Sequence, residues 1–244
     1  GFASLLFGFS EAGNLGWTHP LVYSMIIVGI IILAFFILKQ LRMKEPFLNV
    51  RVFSYKSFTM NMILVCIVFI SFIGSQTVLS YYMQDLHHFS AFKSGLALMP
   101  GGIITGILSP ITGRIFDKYG GKFLSITGLA IVVMTSFAFT QLHASTSFVY
   151  ITIFFAISLA ANAMVFNPLT TAALNNLPRS LVPHGTSMNN TMRQVGAAMG
   201  SAVLVTIMNT TILNPHQYGI EVLVHGVRVA YIVICVIAVI GLIL

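Results

Sequence analysis

The sequence predicts an all-α polytopic membrane helix bundle. Of its 244 residues, 57% are hydrophobic and only 7% are charged. A soluble domain carries about a quarter charged residues. The apolar residues run in continuous stretches long enough to cross a bilayer, for which about 20 residues suffice. These stretches are rich in Ile, Leu, Val and Phe rather than alternating, which excludes a porin-like barrel. Helices remain, because lipid-exposed backbone must satisfy its own hydrogen bonds.

In chain order, Gly1 to Phe9 reads as the end of one span and Leu21 to Leu38 as a second. Ser57 to Met83, Ser94 to Gly113, Phe123 to Leu142 and Phe148 to Leu169 follow. His184 to Leu213 holds the next, and Val229 to Leu244 is the last. That makes seven near-complete helices and one stub, with both chain ends inside apolar runs, as expected of part of a longer protein. The segment 44–56 contains EPFLNVRVF and is expected to lie along the cytoplasmic surface as a linker.

The formal net charge of +7 comes from 12 Lys and Arg against 5 Asp and Glu. The basic residues sit between apolar runs, so they predict orientation rather than nucleic-acid binding. Lys39, Arg42, Lys44, Arg51 and Lys56 share one connection; Arg114, Lys118 and Lys122 share another; Arg179 lies in a third. Alternate connections hold only Lys93 or Arg228, so the basic loops are expected on the cytoplasmic side. Glu11, Asp85 and Glu221 are expected in the opposite loops, and Trp17 in an interfacial belt. Cys66 and Cys235 lie in apolar runs without a metal or disulfide spacing. No Walker, zinc, nucleophile-elbow or dinucleotide pattern occurs, so neither an enzyme nor a bound cofactor or metal is expected.

The most informative stretch is Gly113 to Lys122, GRIFDKYGGK, a very short basic turn between two spans. Gly120 and Gly121 permit a tight turn, Gly113 permits close approach of a helix, and Asp117 can pair with Arg114, Lys118 or a basic group elsewhere. A charged turn obeying the positive-inside rule accounts for the same residues. The spacing resembles the cytoplasmic GxxxD(K/R)xGG(K/R) motif of the major facilitator superfamily, with Gly113, Asp117, Lys118, Gly120, Gly121 and Lys122 in register. SGLALMPGGIITGILSPITGR, with Pro100 and Pro110, is similar to the preceding helix in the fourteen-helix drug:proton antiporters. KEPFLNVRVF and NNTMRQVGAAMG resemble two further stretches of that family, in the subgroup that includes lincomycin resistance proteins.

The resemblance implies the C-terminal six-helix half, residues 57–244, preceded over residues 1–43 by part of the two extra central helices. It implies two inverted three-helix repeats, a bacterial cytoplasmic-membrane location, and proton-coupled efflux of amphipathic drugs. Its partners would be the amphipathic substrate, the lipid bilayer and the other six-helix half. Energy would come from the proton gradient. A metabolite facilitator of the same superfamily and a non-transporting assembly protein are the alternatives. The connection from Thr210 to His225 is shorter than the family's usual last external loop.

Polar groups at membrane depth are costly and hence candidates for function. All five acids map to loops or span ends, so a proton-carrying carboxylate is expected outside this chain; His184 is a weak alternative. Arg193 is the one strong charge within a span. It either snorkels with a bond to Asn189, Asn190 or a neighbouring carbonyl, or serves as a gate or domain-interface contact. Phe155, Ser158, Asn162 and Phe166 share a helix face suited to an amphipathic drug or to helix packing. Gln76, with Asn61 and Ser75 on roughly its face, and Gln194 gain weight from the resemblance, whose cavity-lining helices include theirs. Pro100, Pro110 and Pro168 predict bends. Gly102-xxx-Gly106 and Gly196-xxx-Gly200 predict close helix packing.

Overall fold

The computed structural model describes residues 1–43, 46, 48–211 and 220–244. These residues form eight α-helices: α1 (Phe2–Leu15), α2 (Pro20–Arg42), α3 (Lys56–Tyr81), α4 (Ala91–Tyr119), α5 (Gly121–Phe139), α6 (Phe148–Asn175), α7 (Val182–Thr211) and α8 (Ile220–Ile243). Six of them, all but α1 and α7, contain stretches long and apolar enough to cross a membrane. α7 is as long as the others, but Asn189, Asn190, Arg193 and Gln194 dilute its hydropathy. It is shielded instead by packing against α3, α1 and α8.

Local chemistry sets the helix starts. Pro20 sits at the first position of α2 behind His19, whose side chain accepts from Leu21 N. Ser90 caps α4 by accepting from Lys93 N, and Ser147 caps α6 by accepting from Tyr150 N. Several expected boundaries move; α6 runs past Leu169 to Asn175, and the last helix begins at Ile220 rather than Val229, so Glu221 lies within a helix and not in a loop. The first segment runs to Leu15, so Glu11 lies within a helix and not in a loop. α4 runs six residues past Gly113, to Tyr119, because no proline or positive-φ residue lies between Gly113 and Gly120. Residues 212–219 of the Thr210 to His225 connection lie outside the described residues.

The six helices α3–α8 form the bundle. α3 packs on α7 as α6 packs on α4; α5 packs on α6 as α8 packs on α3; α3 also meets α6, and α5 meets α8. The pairs interchange when α3–α5 are swapped for α6–α8, as two three-helix repeats require. α1 and α2 lie outside, pairing with each other, and α1 leans on α7. Trp17 Nε1 donates to Thr206 Oγ1 at 2.9 Å, and Asn209 Nδ2 to the Gly13 carbonyl at 3.3 Å. Trp17 is therefore a tether between α1 and α7 besides sitting near a span end.

One core cluster fills the end of the bundle away from the basic loops. It centres on Tyr82, Phe139, Phe155, Leu204 and Tyr231. The second fills the basic end, around Phe58, Met62, Val65, Val165 and Leu169. The linker joins the second cluster: Val50–Ser54 forms a 3-10 turn, Val52 is fully buried, and Leu48, Val50 and Phe53 pack beside it. It is held by Asn49 N donating to His184 Nδ1, by Leu48 N donating to Gln40 Oε1, and by Arg51 Nη2 donating to the Leu41 carbonyl. Residues 48–54 thus pack against the basic end of the bundle, and His184 is a structural acceptor.

The opposite end is tied by Tyr82 OH donating to the His143 carbonyl and by Arg228 donating to the Leu142 carbonyl and contacting the His143 ring. A minority basic residue on that side is thereby accounted for by carbonyl capture. His87 stacks between Tyr82 and Phe89, at 4.7 and 5.4 Å. Burial, then the nearby Lys93 charge, holds its imidazole below the usual range.

The glycine expectations divide. A Cβ at Gly200 would stand 2.4 Å from the Ile70 carbonyl oxygen, and one at Gly196 2.9 Å from that of Cys66. These two positions let α3 and α7 touch backbone to backbone. At Gly102 and Gly106 nothing lies within 4 Å of such a Cβ. The expected packing face is therefore open, because α4 turns Ala97, Gly101 and Thr112 inward and leaves the Gly102 stripe facing out.

Two outcomes follow in the full-length protein. Gly200→Leu should lower the thermal unfolding temperature in detergent, since overpacking costs roughly 1–3 kcal/mol even where side chains alone must yield; Gly102→Ala should not, and equal losses would contradict the α3–α7 crossing. A cysteine at Ser145 should react with an impermeant thiol reagent applied outside the cell and one at Lys122 only after permeabilisation; the reverse would overturn the orientation.

Candidate functional site

Two places gather the sequence-nominated residues. The first is the turn between α4 and α5. Gly120 ends α4 with φ +79°, a conformation that side chains disfavour, and its N–H donates to the Phe116 carbonyl at 2.8 Å. Gly121 opens α5 where a Cβ would meet the Phe116 ring at 2.7 Å and Pro168 at 3.4 Å. Those two glycines make a tight corner against α6. Gly113 faces open space, so the helix expected to approach it is not among the described residues. Arg114, Asp117, Lys118 and Lys122 are all exposed, and Lys118 Nζ lies 5.2 Å from the Tyr119 ring. The expected pairing of Asp117 with Arg114 or Lys118 does not form among the described residues. The charges project from the corner, available to a partner.

Pro100 and Pro110 lie within α4 and Pro168 within α6, and both helices continue through them. The residues preceding two of these prolines are bonded to each other: Asn167 Nδ2 donates to Ser109 Oγ at 3.0 Å. Where Pro110 and Pro168 each remove a backbone donor, a side-chain bond joins the helices. Beside this corner an open groove of about 560 Å³ is lined by Asn61, Phe116, Gly121, Lys122, Pro168 and the end of α8.

The second place is a cleft of about 290 Å³ between α3 and α7, lined by Phe69, Ile73, Asn190, Arg193, Gln194 and Ala197. Arg193 does not bond Asn189, whose amide donates to Thr170 Oγ1 at 3.4 Å. Its guanidinium carbon lies 4.7 Å from the Phe69 ring centre and 5.5 Å from that of Phe166. The rings hold one another: Phe69 and Phe166 are 4.5 Å apart, and Phe72 stands edge-on to Phe166 at 5.3 Å. Arg193 Nε is buried with no hydrogen-bond partner among the described residues. The charge is thus stabilised by aromatic faces rather than by an acid.

The nominated α6 face splits. Phe166 reaches the Arg193 cluster, but Phe155, Ser158 and Asn162 are buried within the bundle. With Ser71, Ser75 and Ser136 they line a cavity of about 10 Å³, room for about one water. Ser71 Oγ and Asn162 Oδ1 lack partners there, while Ser75 Oγ donates to Tyr231 OH at 3.2 Å. Ser75 therefore faces inward; Gln76, half-buried, follows the face of Phe69 two turns along. Asn61 lines the other groove. Phe69, Phe72 and Ile73 carried no polar signal in the sequence, yet the face of Gln76 traced back along α3 passes through Phe69 and Ile73.

A family model described as Major Facilitator Superfamily matches residues 2–201. The chain is 42% identical over its whole length to an uncharacterized MFS-type transporter, YcnB, of Bacillus subtilis, covering 52% of that protein. It is 39% identical, again over its whole length, to the lincomycin resistance protein LmrB of Bacillus subtilis, covering 53% of it. It is 24% identical over 84% of its length to the tetracenomycin C resistance and export protein of Streptomyces glaucescens, covering 38% of it. The chain spans about half the length of the curated relatives it matches.

Gly120→Ala in the full-length protein should strain the corner, costing on the order of 1–3 kcal/mol at that φ, while Lys122→Gln leaves stability unchanged; equal thermal stability of G120A and wild type would contradict the corner geometry. A multi-pass helical chain with this turn, this repeat packing and these relatives belongs to the major facilitator superfamily.

Proposed function

We propose that residues 57–244 form the C-terminal six-helix half of an exporter that moves amphipathic toxic compounds across a bacterial cytoplasmic membrane by alternating access, in exchange for protons. The observation that carries this reading is the similarity, over the whole chain, to a protein named for lincomycin resistance. The α3–α7 cleft supports it: aromatic faces beside amides suit an apolar body with a few polar groups. α1 and α2 are then central helices outside the transport bundle. Proton coupling draws on the remainder of the protein, since Glu11, Asp85 and Asp117 lie at or near helix ends and none faces the cleft.

In this reading the exposed charges of the α4–α5 corner, with open Gly113 behind them, latch the two halves on the cytoplasmic side. Asp117→Asn in the full-length protein should cut efflux of an amphipathic dye from cells roughly 10-fold, the scale of one lost charge-assisted contact, with membrane insertion unchanged. Unaltered efflux kinetics would contradict the latch.

A further inference from the structure

We infer that the Arg193–Phe69–Phe166 cluster is a binding site for the carboxylate of an amphipathic substrate. This deepens the export reading and rests on it for the direction of transport, though not for the existence of the site. Four features carry it. Among the described residues Arg193 is the only charged one lining the cleft, and it is positive. Its guanidinium carbon lies 4.7 and 5.5 Å from the centres of two rings, whose faces hold the charge at the cleft. The rings are themselves braced by Phe72, so the donors are pre-positioned. Asn190 and Gln194 are exposed, flank the guanidinium and can hold a second oxygen.

The chemistry selects the ligand class. A guanidinium that lines a cleft with no acid beside it among the described residues gains most from a planar oxyanion that takes two parallel donors. The neighbouring Phe69 and Ile73 offer an apolar surface to the body that carries it. A cationic amphiphile would meet like charge there without a described carboxylate in the cleft to offset it. A neutral one would leave the donors unmatched, which is costly in a site built to hydrogen-bond.

The test compares three probes with one body: 4-phenylbutyrate, 4-phenylbutylamine and 4-phenylbutanol. Each is added to the purified full-length protein in lipid nanodiscs, and its affinity is read from the thermal unfolding shift. The butyrate should bind roughly 10- to 100-fold more tightly than the alcohol, the worth of a charged hydrogen bond, and the amine more weakly still. Arg193→Gln should bring butyrate down to the alcohol, and Arg193→Lys should restore part of the difference. Equal binding of the three probes by wild type, which needs no variant to fold, would overturn the inference. So would an Arg193→Gln protein that keeps the butyrate preference, or one less stable without ligand whose wild type shows no preference, as an internal ion pair would give. Dye efflux measured in parallel separates the two readings: carboxylate selectivity without efflux defeats export alone, and efflux without selectivity defeats this site alone.

Discussion

The backbone contact between α3 and α7 is the constraint on which the rest of this structure depends. In lipid, two helices gain little from apolar burial alone, so close approach and dispersion must hold them. Gly196 and Gly200 present bare backbone to the carbonyls of Cys66 and Ile70. That crossing brings Arg193, one turn before Gly196, onto the rings of Phe69 and Phe166. It also lets α7, the most polar of the long helices, sit behind α3, α8 and α1 instead of facing lipid along its whole length. Were the helices held farther apart, Arg193 would lose its aromatic faces and would need an acid or an escape to the interface.

Polar groups inside the bundle are handled in three distinct ways. Thr and Ser hydroxyls bond back to carbonyls one turn earlier, as Thr105 does to Gly101 and Thr135 to Ile131. The inner serines, Asn162 and Tyr231 gather around one small cavity where α3, α5, α6 and α8 converge. Arg193, with Asn190 and Gln194, lines an open cleft. The first two arrangements hold helices together; the third leaves Arg193 without an acidic partner among the described residues. The outward stripe of α4, with Gly102, Gly106 and Gly113, is a second open surface, and it ends at the exposed charges of the corner.

Much of this was legible in the sequence because membrane-spanning helices announce themselves by composition and length. The spans, the basic end and the Gly120–Gly121 corner each follow from a local rule. Side-chain direction is harder to read. Ser158, Asn162 and Phe166 share one face of α6, yet the helix is long enough for that face to cross from the bundle interior to the cleft, so the first two are buried and Phe166 is not. Ser75 and Gln76 are neighbours that a rotation of about 100° sends to different places. Gly102 and Gly101 exchange roles for the same reason: adjacent residues cannot both face α6. The anchoring of the linker by His184 depends on a contact 135 residues apart, which no local pattern encodes.

Binding in the α3–α7 cleft requires a water-accessible surface at membrane depth rather than a lipid-facing groove. The most direct measurement is the reactivity of single cysteines with a small charged thiol reagent in the full-length protein in membranes. A cysteine at Gln194 should react, and should be protected by an amphipathic ligand, while one at Ile232, exposed on α8, should stay inert in lipid. An inert Gln194 cysteine beside a reactive Ile232 cysteine would mean that the cleft faces hydrocarbon, and the central claim would fail.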